Sequence, residues 1–159
     1  MTSKKKNSES VGRQTATSIH PRIDFVKSVK FGGIGLDKCA ASVDRTLLSD
    51  AKEREKDLEI EITMNQSVLA HEDNYFVIAT DFDLAQRAKG SDKKIASIAA
   101  TFSARFDLTK PASQELVRGF AGLEARLIFF PYLRHFVSDT SHRMAIDTIV
   151  LPMTSELEK

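Results

Sequence analysis

The sequence predicts an α+β fold: a four-stranded antiparallel sheet, a long helix laid on one face of it, and a C-terminal extended arm packed against them. Three observations carry that expectation. Leu58, Ile60, Ile62 and Met64 alternate with Glu59, Glu61, Thr63 and Asn65, the period of a strand dry on one face and wet on the other. Further alternating runs follow across short turn-like stretches, which favours antiparallel pairing. Behind them, apolar residues from Leu116 onward recur at three- and four-residue spacing, the period of an amphipathic helix.

The chain has 159 residues, a length that suits one domain with its own core. Hydrophobic residues make up 42% and charged residues 28%, ordinary for a globular domain, so fibrous and low-complexity classes are set aside. Cys39 is the one cysteine, which excludes an internal disulfide and a four-thiolate zinc site and fits a reducing, cytoplasmic setting. A formal net charge of +1 argues against a dedicated nucleic-acid surface, and no nucleic acid is expected as a partner. No apolar run approaches the ~18 residues of a membrane span, so no membrane insertion is expected. Lys4, Lys5 and Lys6 lack the apolar stretch that would make a secretory signal. Residues 1–18, rich in Ser, Thr, Lys, Asn and Gln, read as a disordered polar tail. Residues 19–159 read as the single domain.

Taken in order, Ile23, Phe25, Val26, Val29 and Phe31 suggest a first strand, interrupted by Gly32-Gly33-Ile34-Gly35. No Lys-Ser/Thr pair follows these glycines, so a strand bend or bulge is a better reading than a phosphate cradle. Residues 44–57 are mostly charged and read as a solvated connection with a short helical turn around Leu47 and Leu48. After the alternating run at 58–65, His71-Glu72-Asp73-Asn74 signals a turn. Phe76, Ile78, Thr80, Phe82 and Leu84 then share one side of a strand, opposite Val77, Ala79, Asp81 and Asp83. Gly90-Ser91-Asp92 turns again. The last strand sets Ala96, Ile98, Ala100, Phe102, Ala104, Phe106 and Leu108 against Ser97, Thr101, Ser103, Arg105 and Asp107. The result is a meander with one apolar face that needs a cover.

The cover follows. Pro111 stops the strand and Ser113 caps a helix whose first turn holds Gln114 and Glu115. Leu116, Phe120, Leu123, Leu127 and Phe130 form the expected stripe, with a break near Gly119 and Gly122. Beyond Arg126, Ile128, Phe129, Phe130, Leu133, Phe136 and Val137 make more than one apolar stripe. A helix apolar on two sides is wedged between its own sheet and something else, and a second subunit is the natural candidate. Pro131 either kinks this helix or opens a new one. After Ile146 the text becomes a short extended arm, with Thr148, Val150 and Pro152 suited to lying on another surface.

Several polar groupings invite chemistry. His135, Asp139 and His142 fall on one helix face, but no fourth ligand accompanies them and no metal is expected. Cys39 lacks a neighbouring base, so it reads as structural or incidental. The pairs Glu59/Glu61 and Asp81/Asp83 could serve acid–base work or calcium, yet a solubilising sheet face explains them better. His20 and His71 sit in loop-like text. No catalytic residue and no cofactor are expected, and the chain is not expected to be an enzyme.

The pattern as a whole resembles the SecB family of bacterial export chaperones. The order of antiparallel strands, crossover, long helix and extended segment carries the first part of the match. Ser103-Ala104-Arg105-Phe106-Asp107-Leu108 parallels the family's Ala-Gly-Ile-Phe-Arg-Ile type strand ending. Most specific is Phe129-Phe130-Pro131-Tyr132-Leu133-Arg134, similar to the family's Leu-Phe-Pro-Tyr-Ala-Arg, followed by Val137-Ser138 and His142-Arg143. Ile149-Val150-Leu151-Pro152 parallels the Leu-x-Leu-x-Pro arm. The resemblance spans about residues 20–153.

It implies an ATP-independent holdase that binds unfolded polypeptides, assembled as a homotetramer of two dimers. A divergent member could instead guard an antitoxin in a toxin–antitoxin–chaperone system. Certain departures weigh against docking to the export motor SecA. The Leu-x-Glu element of the family's last strand falls on Ser97 and Ala99, the acidic balance is missing, His135 stands where Glu is usual, and the further C-terminal helix is absent. A holdase needs exposed apolar ground and strand edges rather than catalytic groups. The expected client groove is Phe102, Phe106, Phe129, Tyr132, Phe136 and Val137. The expected subunit contact is Phe130 and Leu133, with Arg134 orienting the helix. The same rings would serve equally as plain core.

Overall fold

Four strands build one antiparallel sheet in the spatial order β1-β4-β3-β2. They are β1 (Val29–Val43), β2 (Leu58–His71), β3 (Tyr75–Ala88) and β4 (Lys94–Leu108). The computed structural model describes residues 21–151, and the polar segment 1–18, His20 and Pro152 lie outside them. Strands β2, β3 and β4 follow one another as hairpins, as the alternation predicts. The crossover after β1 lets that strand join the far side of β4. Both β1 and β2 are therefore edge strands.

One face of the sheet makes the core. Phe76, Ile78, Thr80, Phe82 and Leu84 of β3 are buried, as are all seven apolar positions expected on β4. On β3 the alternation is interrupted, because Ala79, expected on the wet face, and Ala85 are buried as well: small side chains on a central strand are covered by its neighbours. On the edge strand β2 the alternation persists from Glu61 onward, but the inward Ile62, Met64 and Val68 are only half-buried, and Leu58 and Ile60 stay exposed. The opposite face carries the strands' polar side chains, with Val77, Ala79 and Ala85 among them. Arg87 pairs with Glu61 there, Thr101 donates to Asp81 at 2.7 Å, and Arg105 meets Asp107 at 2.8 Å while lying 4.2 Å from the Tyr75 ring centre.

The start of the chain departs from expectation. Pro21–Ser28 is a helix, α1, and not strand. Proline suits the first helical turn and Asp24 complements its positive end. One buried side chain, Phe25, anchors it against Phe76 and Phe120 at 6.2 and 5.9 Å between ring centres. The strand proper then runs from Val29 straight through the glycines, with register shifts between Phe31 and Gly33 and between Leu36 and Lys38. At the first, Gly33 has φ +146, a region that side chains avoid. A Cβ on Gly32 would lie 3.1 Å from the Arg105 carbonyl oxygen. The glycine cluster is a β-bulge, as its composition suggests.

The charged connection holds a full helix, α2 (Arg45–Glu53). Asp44 caps it, accepting from the backbone N–H groups of Thr46 and Leu47, both at 3.0 Å. Leu48 and Ala51 are its buried side chains.

Two helices cover the apolar sheet face: α3 (Gln114–Gly122) and α4 (Glu124–Arg143). Ser113 caps α3 by accepting from the Leu116 N–H at 3.3 Å. The break falls at Leu123, with φ −123 and ψ −68, beside the glycines that weaken the helix. It resets the helical phase. The expected stripe therefore fails at Leu123 and Leu127, which are exposed. The buried row is Val117, Phe120 and Ala121, then Ala125, Phe129, Leu133, Val137 and Ser141 at four-residue spacing. Pro131 lies inside α4, on its exposed side.

The extended arm follows α4 and lies on the chain's own body, with Ile146, Ile149 and Leu151 buried. The helix ends through Ala145 at φ +51, whose N–H donates to the His142 carbonyl while the Ile146 N–H donates to that of Ser141. This is the paired-bond stop of a Schellman motif, with alanine where glycine is usual. The Arg45 guanidinium donates to the Met144 and Ala145 carbonyl oxygens, joining α2 to this end of α4. No helix of the described residues is long and apolar enough to cross a membrane.

Candidate functional site: an apolar rim between the β1 edge and α4

The core is dominated by phenyl rings, and one line of them reaches the surface. Phe76 stacks on Phe106 at 5.1 Å, and Phe120 meets both edge-on at 5.5 and 5.1 Å. Phe106 lies opposite Phe31 of the edge strand, 5.8 Å between ring centres, and Phe31 lies 6.5 Å from Tyr132 of α4. Phe31 is 46% exposed and Tyr132 42%. One turn along α4, Phe136 sits edge-on to Phe102 at 5.6 Å and is half-buried.

The bulges of β1 assemble this rim. Strict alternation would send Phe31 and Ile34 to opposite faces. With the bulge at Phe31/Gly33, Phe31 pairs Phe106, Ile34 pairs Ala104 and Leu36 pairs Phe102. Directly opposed residues share a face, so all three turn toward the helix side. Leu36 is 45% exposed. Phe31, Ile34, Leu36, Tyr132 and Phe136 thus line one apolar strip along an unpaired strand edge. Edge strands offer backbone groups to an added strand, and a strip of exposed apolar side chains beside one is ground for a bound chain.

The six residues expected in a client groove divide. Tyr132 and Phe136 stand on the rim. Phe102 is buried directly beneath Phe136. Phe106, Phe129 and Val137 are fully enclosed between sheet and helix. Of the residues expected at a subunit contact, Phe130 and Leu133 are buried by the chain's own core, whereas Arg134 is on the surface of α4 and engaged there. The outward positions of α4 include Leu127, Pro131, His135 and His142. Sequence reading missed Phe31, Ile34 and Leu36 as rim residues. The available signal was two large apolar residues flanking a glycine cluster, since a bulge reverses which side chains share a face.

The remaining polar groupings stay apart. Asp139 is taken by Arg143 at 2.8 Å, and His135 and His142 are exposed beside it. Among the described residues no His, Cys, Asp and Glu grouping could hold a metal. Cys39 is exposed on β1, and His71 ends β2.

This arrangement of edge strands, two covering helices and a packed arm is a SecB-like α+β fold. The same fold is found in a SecB-like chaperone from Mycobacterium tuberculosis, solved in complex with a ChAD peptide from the HigA1 antitoxin. The two share 21% sequence identity, with a TM-score of 0.70 over 80% of this chain and 91% of that one. A protein of unknown function from Streptococcus agalactiae overlaps 79% of this chain and 97% of its own, at 7% identity and a TM-score of 0.43, too distant to support an argument. No family model and no curated protein matches the sequence.

Proposed function

We propose that this protein is an ATP-independent chaperone of the cytoplasm that holds extended segments of non-native polypeptide, and that it is a binding protein rather than an enzyme. The observation that carries the reading is the Phe31–Tyr132 rim along the free edge of β1. Burying a client's apolar side chain contributes about 1.5–3 kcal/mol, and strand pairing adds contacts that do not depend on client sequence. Several such contacts give avidity without specificity. The SecB-like fold supports it. An antitoxin is a favoured client, because the M. tuberculosis neighbour holds an antitoxin peptide. The resemblance of the sequence to the SecB family extends the proposal to a homotetramer, a dimer of dimers.

Suppression of aggregation tests the function. The protein should keep several unrelated denatured proteins soluble at near-stoichiometric amounts, and Phe31→Ser with Tyr132→Ser should lose that ability while keeping the wild-type circular dichroism. Protection of one antitoxin and no other client would select the dedicated role. Wild type that protects nothing, or a double variant that protects fully, would remove the proposal. Light scattering should give a mass near four times 17.7 kDa; a monomer would remove the assembly.

A further inference from the structure

Helix α1 is lightly attached to the body it leads into. Phe25 is its buried side chain, whereas Ile23 is 49% exposed and Val26 36%. Phe25 sits among rings, 6.2 Å from Phe76 and edge-on to Phe120 at 5.9 Å. A forked ion pair ties the first turn to α4, the Arg22 guanidinium donating to both carboxylate oxygens of Glu124 at 2.9 Å. The last residue is pinned, because the Thr109 N–H and hydroxyl both donate to the Ser28 carbonyl oxygen, at 3.0 and 3.2 Å.

The seat beneath α1 is larger than what α1 puts into it. An open groove of about 480 Å³ runs between α1 and α3, walled by Arg22, Phe25, Val26, Leu116, Gly119 and Phe120. Interlocked elements leave few gaps larger than a water molecule, so α1 rests on its neighbour without meshing into it. A helix of eight residues is marginal in water by itself, and a unit with one buried side chain lies at the low end of local stability. Release of Phe25 therefore frees α1 and leaves the sheet in place. The hinge is Ser28, where helix passes into strand at Val29, the first residue of β1 in register with β4. What release uncovers is apolar and continuous with the rim. From Phe25 the rings run through Phe76, Phe106 and Phe31 to Tyr132, so the Phe25 seat is the far end of the row that surfaces along β1.

We infer that α1 is a self-docked latch: Phe25 fills the far end of the client surface, and a client's aromatic or large aliphatic side chain takes that seat when α1 swings out about Ser28. The inference rests on the chaperone reading and adds to it a competitor built into the chain. The Arg22–Glu124 fork sets how firmly the latch closes. Client affinity is scaled by the fraction of molecules with α1 released. Whatever loosens α1 therefore tightens client binding by the same factor.

Fluorescence anisotropy on the full chain tests it, with a fluorescein-labelled, amidated hexapeptide of Phe, Leu and Ala. Glu124→Gln weakens the fork and should bind the peptide about two- to five-fold more tightly than wild type, the range of an exposed ion pair. Phe25→Ala removes the competing side chain and should tighten binding by about ten-fold or more, the worth of one buried apolar group. Circular dichroism of both variants should match wild type. With peptide at saturation, amide exchange at residues 25–28 should accelerate, because α1 is displaced. Unchanged or weaker binding by Glu124→Gln overturns the latch. Slower exchange at those amides in the complex overturns it too, because α1 would then be a fixed wall of the site. Either result leaves the chaperone reading standing, since wild type still binds. Should Phe25→Ala lose its fold, Glu124→Gln and the exchange measurement decide without it. Phe31→Ser with Tyr132→Ser should weaken the peptide yet keep the gain from Glu124→Gln, so the rim and the latch are read separately. Wild type and Phe25→Ala that both bind no peptide remove the chaperone reading and the latch together; binding by Phe25→Ala where wild type shows none supports both.

Discussion

The Ser141 hydroxyl accepts a hydrogen bond from the Ile149 N–H at 3.1 Å while donating to the Val137 carbonyl oxygen at 2.8 Å. One fully buried oxygen thereby fastens the C-terminal arm to the helix that covers the sheet. The arm's Ile146, Ile149 and Leu151 are then part of the buried core.

Ser141→Ala removes that acceptor and leaves the Ile149 N–H buried without a partner. An orphaned buried donor costs about 1–3 kcal/mol. Urea unfolding should show a loss in that range, with amide exchange at Ile149 accelerated more than exchange within β3. Unchanged protection at Ile149 would count against the arm's attachment.

Position on α4 decides what a truncation does. Phe129→Ala opens the core and should cost about 3–5 kcal/mol. Leu127→Ala, on the exposed side two residues earlier, should change monomer stability by less than about 0.5 kcal/mol. Equal losses at the two sites would mean that the helix is rotated from the face described.

Ala145 takes the left-handed conformation that ends α4. Ala145→Gly relieves a penalty of about 1 kcal/mol and should raise the melting temperature by about 2–4 °C. A lower melting temperature would refute the positive φ.

The Asp50 carboxylate accepts from the Lys56 ammonium at 2.6 Å and pairs with Arg54 at 2.6 Å. The Lys56 hydrogen bond, with the Arg54 and Lys56 charges, holds its carboxyl below the ordinary 3.8 against a smaller opposing effect of desolvation. A depressed carboxyl stabilises the fold above its unfolded value and loses that contribution as the pH falls through the lowered folded value. Asp50→Asn should therefore melt below wild type at neutral pH. The gap should narrow as the pH drops beneath 3.8. A gap independent of pH would exclude the ion pairs as its source.

The sheet was legible wherever a strand has neighbours on both sides. On β3 and β4 every residue expected on the inner face is buried, so the inner face and the turns followed from residue type; Ala79, expected on the wet face, is enclosed too, because a small side chain on a central strand is covered by its neighbours. Ser113 and the glycines near Leu123 likewise marked the cap and the break between the covering helices. The SecB-like order could be read because the Phe-Pro-Tyr-x-Arg run, Phe130 to Arg134, sits behind that sheet.

Residue type alone could not decide the edges. Whether Phe31, Ile34 and Leu36 share a face depends on an inserted residue at Gly32, and a bulge is a matter of hydrogen-bond register with β4. Whether Leu123 and Leu127 are inside or outside depends on the phase of α4 after the break, which contact with the sheet sets. Phe106, Phe129 and Val137 belong to the same residue classes as Tyr132 and Phe136; only packing separates enclosed side chains from those on the rim. Local alternation and capping are properties of neighbouring residues, and the chain carries them in its order. Exposure at an edge is a property of what arrives from elsewhere, and only the assembled sheet and helices supply it.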